Sequence, residues 1–138
     1  AAPQVGVSER LFVIDSRAMI DEESDEQGIR KAFFNPEILE ESGEHVGFEE
    51  GCLSIPGIRE NVERQPVVRM RYQDAQGTSH EETFEGMTAR VIQHEYDHIE
   101  GILFIDRINP LRKRLIKKRL LKVSKGEFST TYKIKYPR

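Results

Sequence analysis

Apolar and polar positions divide the chain into short alternating or apolar stretches, one helical stretch near the middle and a second helical stretch near the end. Leu11-Phe12-Val13-Ile14 is a compact apolar run and predicts a buried strand. Ala32-Phe33-Phe34 predicts another strand, interrupted by Asn35-Pro36 and resumed at Ile38-Leu39. Residues 66–85 read as a β-hairpin: Pro66 to Tyr72 alternates, Asp74-Ala75-Gln76-Gly77 turns, and Thr78 to Phe84 returns. Residues 87–100 predict a helix with apolar flanks at Val91, Ile92 and Ile99, closed by Gly101. Leu111, Leu115, Ile116, Leu120, Leu121 and Val123 recur at near-helical spacing with cations between them, predicting an amphipathic basic helix that ends near Gly126. Its apolar stripe is expected to pack on the body and leave the cations outward. Thr130 to Tyr136 alternates and suggests a last strand. Residues 21–28 are acidic and polar without the spacing of a calcium loop, and are expected to be solvated. Residues 40–50 are again acidic, with Gly43 and Gly47 as turn points, and a Gly/Pro-punctuated loop follows over 50–57.

Length and composition narrow the classes. A chain of 138 residues suggests a single domain over 1–138. One cysteine excludes an intrachain disulfide, and no apolar run is long enough to span a membrane. A reducing cytoplasm is the default. The N-terminal part is expected to be missing, because the sequence opens in mid-motif without a Met. Charge is split along the chain: residues 1–109 carry a net −13 and residues 110–138 a net +10. The basic stretch therefore meets either a polyanion or its own acidic body.

The chemistry gathers at Gln93-His94-Glu95-Tyr96-Asp97-His98. On a helix, residues four apart share a face, so His94 and His98 can reach one metal ion. Glu95 is offset by about 100° and can move protons without ligating. A catalytic metal needs a third protein ligand. The position where some His-Glu-x-x-His proteases carry another histidine is Phe104, which cannot bind metal. Cys52 is the stronger candidate as a thiolate, with His45 and His80 as alternatives. Gln93 and Asp97 flank the histidines, where they either orient the ligands or serve in capping and salt pairing.

Three segments together resemble the peptide deformylase family: Ala1-Ala2-Pro3-Gln4, Glu50-Gly51-Cys52-Leu53-Ser54, and the His94–His98 segment. The resemblance runs from residue 1 to about residue 122. The family's Gly-x-Gly-x directly before Ala-Ala-x-Gln, and the helix before that, have no counterpart here. The resemblance implies an α+β fold, with antiparallel β-sheets around a central metal-binding helix, and here a C-terminal amphipathic basic helix after it. It implies a hydrolase of protein biosynthesis and N-terminal processing that removes the N-formyl group from the initiator methionine of nascent polypeptides. It makes Cys52, His94 and His98 the ligands of one divalent ion, Fe²⁺ in the cell, with Zn²⁺ or Ni²⁺ able to replace it. Glu95 becomes the catalytic acid/base, Gln4 and the Leu53 N–H donors to the oxyanion, and Gly51 a backbone partner of the peptide. For the substrate pocket, Met87, Arg90 and Val91 are expected as walls and Arg59 as a holder of peptide carbonyls. The basic tail over 111–138 is expected to meet ribosomal RNA near the tunnel exit. Two other readings fit the motif: another amidase or peptidase using Cys-His-His, and a non-catalytic RNA-binding module with a structural metal.

Overall fold

The computed structural model describes residues 1–135, which form two compact units. The first takes in Ala1–Val46 and Arg64–Leu103, the second Gly47–Glu63 and the chain from Phe104 onward.

In the first unit, alternation is what makes a sheet with one buried face. Strands β1 (Leu11–Asp15), β2 (Arg30–Ser42), β5 (Val67–Gln73) and β6 (Ser79–Glu85) pair antiparallel in the order β1-β2-β5-β6. Between β2 and β5 in sequence lie β3 (Val46–Cys52) and β4 (Ile55–Arg64), described below. Phe12 and Ile14 from β1, Phe33 from β2, and Val68, Met70 and Tyr72 from β5 point to one side, as a period of two requires. Helix α1 (Gly86–Ile99) covers that side with Ala89 and Ile92, both fully buried. Phe33 is the hub of the core. Its ring stacks on Phe12 at 4.8 Å and meets Phe84 edge-on at 5.7 Å.

The expected break at Asn35-Pro36 is a bulge within one long strand. The β2–β5 register shifts between Phe34 and Glu37 and again between Ile38 and Glu40. Asn35 takes a positive φ of 47° and donates its side-chain amide to Gln73. Asparagine tolerates that conformation better than most residues, so the strand bends without ending.

The acidic stretch over 21–28 is not wholly solvated. Glu26 is half-buried, and its carboxylate accepts the backbone N–H groups of Met87 and Thr88 at 3.1 and 2.9 Å. Those are orphan donors of the first turn of α1, and the N-cap residue Glu85 provides no side-chain cap of its own. A Cβ on Gly86 would lie 2.5 Å from the Glu26 carboxylate, so glycine there lets the cap approach. Nearby, Ser16 Oγ accepts the Ile29 N–H and meets the Thr88 hydroxyl at 2.9 Å.

In the second unit, β3 and β4 pair as a two-stranded sheet. This corrects the reading of 40–57 as turns and loop. Gly43 does turn, with φ of 89°, but Gly47 lies inside β3. Along β4 every second residue is buried: Ile58, Glu60, Val62 and Arg64. Helix α2 (Pro110–Ser124) starts at Asn109, whose side chain accepts the Leu111 N–H at 2.8 Å.

The expected stripe of α2 is corrected too. Ile116 is buried, but Leu111 and Leu115 are 63% and 65% exposed. At about 100° per residue they stand roughly 140° and 100° around the axis from Ile116, so the three cannot share a face. Nor do all the cations face outward unpaired. Arg112 grips the buried Glu60 carboxylate with two bonds of 2.9 Å. Lys113 pairs with Asp106 at 2.6 Å, and Arg119 donates to the Gly57 carbonyl. Arg114, Lys117, Lys118 and Lys122 are exposed. Residues 130–135 form no strand, and Tyr136 lies outside the described residues.

The Glu26 cap is open to measurement. Glu26→Ala should lower stability to urea by about 1–2 kcal/mol, the usual range for a lost helix cap. Glu26→Gln, which keeps an acceptor, should lose less. A parent-like midpoint for Glu26→Ala would show that the cap contributes nothing.

Candidate metal centre

The histidines stand on the last two turns of α1, where the i, i+4 spacing stacks them on one face. Their ring centroids are 5.2 Å apart and the rings are inclined at 75°. His98 is buried and His94 half-buried. The face behind them is fixed in the core by Ala89 and Ile92.

Glu95 stands beside this pair with its side chain 19% exposed. Its carboxylate accepts from the Ala1 nitrogen at 2.8 Å. The same nitrogen donates to Gln4 Oε1 at 2.7 Å. Glu95 and Gln4, far apart in sequence, both accept from the terminal ammonium of Ala1. Gln4 leads into the left-handed turn at Gly6, which closes the short 3₁₀ turn Ala2–Val5.

The remaining faces of α1 are tied by polar side chains. Gln93 donates to the Gln65 carbonyl at 3.0 Å and to the Ala89 carbonyl at 3.2 Å. Asp97 accepts from Arg64 at 2.9 Å in a pair whose side chains are only 2% and 4% exposed. The Asp97 carbonyl takes the Ile102 N–H at 2.8 Å and closes the helix end. Tyr96 lies under the Arg10 guanidinium, 5.8 Å from ring centroid to cation. Arg10 in turn pairs with Glu100 at 2.6 Å, and that hydrogen bond raises its pKa above the usual guanidinium value.

Of the residues expected to wall a pocket, Met87 and Val91 are half-buried on α1. Arg90 is buried and donates to the Val46 carbonyl. An open groove of about 540 Å³ runs past His98, bounded by Pro3, Gly6, Val7, Arg10, Ile99 and Gly101. It does not include Met87 or Val91.

The Glu50–Ser54 segment belongs to the β3–β4 hairpin. Cys52 ends β3 as a half-buried cysteine outside any disulfide. Leu53 sits in the two-residue turn, 71% exposed, and its carbonyl accepts from the Tyr132 hydroxyl at 3.0 Å. Arg59 on β4 crosses to β3. It bonds the Glu49 carboxylate at 3.1 Å and the Glu49 carbonyl at 3.0 Å. A Cβ on Gly51 would meet the Arg59 side chain at 3.2–3.3 Å, so the arginine lies where a side chain at 51 would project.

The alternative ligands are placed differently. His80 lies on β6, 2.7 Å from the Asp74 carboxylate, with its ring stacked on Tyr72. The bond to His80 is the first cause holding Asp74 below the usual carboxylate range. His45 is exposed in the turn between β2 and β3. Sequence reading passed over Arg64, Gln65 and Tyr132. No local pattern marks them, since each contributes a contact to a residue distant along the chain.

A family model described as Polypeptide deformylase matches residues 1–114. The peptide deformylase of Christiangramia forsetii is 50% identical to the chain over 99% of its length and 74% of the relative's. That of Cytophaga hutchinsonii is 51% identical, over 99% and 73%. Among solved structures, a plant peptide deformylase, PDF1B, superposes with a TM-score of 0.81 at 36% identity, covering 91% of this chain and 66% of that one.

Proposed function

From the premise that the chain belongs to the polypeptide deformylase family, we propose a division of roles among its residues. The reaction is hydrolysis of the N-formyl group from the initiator methionine of nascent polypeptides, with release of formate. The observation that carries the reading is the pairing of two imidazoles one turn apart with a carboxylate at their side.

Cys52, His94 and His98 are proposed to hold one metal ion. What supports this is the donor set, since these three are a group of metal-ligating side chains among the described residues. One thiolate and two imidazoles suit Fe²⁺, Zn²⁺ or Ni²⁺ and are too soft for Mg²⁺ or Ca²⁺. Fe²⁺ is proposed as the ion in the cell. When bound, a divalent ion would supply Lewis acidity and lower the pKa of water to about 7.

The chain's own groups do the rest. Glu95 takes a proton from the attacking water as the new C–O bond forms. The Gln4 NH₂ and the Leu53 N–H donate to the oxygen on which charge gathers, each donor being worth about 3 kcal/mol. As the C–N bond breaks, Glu95 passes the proton to the departing amine, which leaves with the peptide. Gly51 offers backbone to that peptide and Arg59 can hold its carbonyls, while Met87, Arg90 and Val91 line the methionine side chain's place. The family match includes segments of both compact units, which supports treating residues 1–138 as one functional domain.

No helix among the described residues is long and apolar enough to cross a membrane. Because the substrate is a nascent chain, the reaction is proposed to take place in the cytoplasm beside the ribosome. The exposed cations Arg114, Lys117, Lys118 and Lys122 of α2 are proposed to meet ribosomal RNA.

Three outcomes follow. Glu95→Gln should keep its metal and lose at least about 10²-fold in kcat for formate release. Metal content near zero in that variant would instead make Glu95 a support of the site. Cys52→Ser should lose metal during dialysis under conditions in which His80→Gln retains it; equal retention by both would move the third ligand elsewhere. Reversing Lys117 and Lys118 to Glu should abolish ribosome co-sedimentation at low salt and leave formate release from a short peptide nearly unchanged. Sedimentation that survives the reversal would assign α2 to its intramolecular pairs alone.

A further inference from the structure

Gln93 and Asp97 each precede a histidine by one residue, and both reach the same short piece of chain. Gln93 donates to the carbonyl of Gln65, and Asp97 accepts from the guanidinium of Arg64. Two consecutive residues, the last of β4 and the one after it, therefore grip two positions of α1 that are four residues apart. Four residues are about 6 Å along a helix axis. Two contacts that far apart hold this face along its length, and the seating of Ala89 and Ile92 in the core stops the helix from turning about the line between them.

Resting on the metal-site reading above, we propose that Arg64 and Gln65 form a clamp that sets the rotation of α1 and thereby aims His94 and His98. Arg64 is a positioning residue for the metal centre. The lever is long enough to matter. Imidazole nitrogens lie roughly 5–6 Å from the helix axis, so a 10° roll displaces them by about 1 Å. Metal sites need their ligands held within about 0.5 Å and 10–20°. Ala89 and Ile92 seat α1 in the core, with Val91, Tyr96 and Ile99 packed partly buried against it. Directional bonds add finer angular definition to that packing. A guanidinium provides it, with donors fixed in a planar fork.

The identity of the pair supports the same conclusion. Both side chains are almost fully buried, at 2% and 4% exposure. A buried ion pair is a poor source of net stability, because its desolvation offsets its attraction, and apolar residues of the same volume often hold a fold as well. What an apolar pair would lack is direction. Residues that orient metal ligands typically change metal affinity or activity 10- to 100-fold when replaced.

The test uses cobalt in place of the native ion, so that the site reports on itself. Parent, Arg64→Met, Arg64→Lys and Gln93→Leu proteins would be loaded with Co²⁺ and compared by visible absorption, by Co²⁺ affinity in competition with a chelator, and by near-ultraviolet circular dichroism. The expected result for Arg64→Met is a cooperative fold, a 10- to 100-fold weaker Co²⁺ affinity and an altered ligand-field spectrum. Its kcat for formate release should fall with little change in KM. Arg64→Lys, which keeps the charge and loses the fork, should be intermediate in spectrum and affinity. A folded Arg64→Met protein with the parent's spectrum and Co²⁺ affinity would overturn the proposal, whatever its melting temperature, and leave the pair as a structural tie. If Arg64→Met does not fold, Arg64→Lys and Gln93→Leu decide by the same criteria. A parent that binds Co²⁺ but releases no formate would overturn the deformylase reading, while the spectra would still judge the clamp.

Discussion

The larger unit depends on the burial of one helix against one sheet, and that helix has to satisfy two demands at once. Its inner face must be apolar and small enough to seat on the Phe12, Phe33, Val68, Met70 and Tyr72 layer. Its other faces must present chemistry. Fourteen residues give α1 about four turns to do both. The result is a strict partition by angle. Ala89 and Ile92 go to the core, His94 and His98 to the side away from it, Gln93 and Asp97 to one flank, and Glu95 to the other, toward the Ala1–Gln4 turn. Shifting any of these by one position would send it 100° around the axis and into another role.

The same partition explains why so much of this unit could be read from the residues. A period of two marks β5 and β6, and the His-Glu-x-x-His spacing marks α1; both patterns depend only on neighbours in sequence. The β3–β4 hairpin escaped because its buried positions include charged residues. Glu60 and Arg64 occupy inward places in β4, and their burial is made tolerable by Arg112 and Asp97, which lie far along the chain. A hydropathy pattern scores such residues as exposed. Glu26 escaped for a related reason: amid the acids of 21–25 nothing distinguishes the one that caps a helix sixty residues later.

The basic helix shows the limit of periodicity in another way. Six apolar residues at near-helical spacing suggested a stripe, yet only Ile116 is buried, with Leu120 and Val123 partly so. Helix α2 is held by directed polar contacts as much as by apolar burial: Arg112 on Glu60, Lys113 on Asp106, Arg119 on Gly57. Charge composition alone left two partners open for the cations, a polyanion or the chain's own acidic groups, and in the structure Arg112 and Lys113 meet acidic groups of the chain itself.

The carboxylate cap on α1 bears on which changes of chain length this fold can absorb. Between the 3₁₀ turn that ends at Met19 and Glu26 the backbone forms no strand or helix, and its side chains are mostly exposed. Loop-closure entropy rises only slowly with length, so residues can be added or removed in that interval at small expense. The stretch from Glu26 to Arg30 has no such latitude. It must deliver the carboxylate to Met87 and Thr88, bring Gly28 against the Arg17 backbone, where a Cβ would come within 2.4 Å, and enter β2 in register. Natural variation in length should therefore collect on the N-terminal side of Glu26 and stop there.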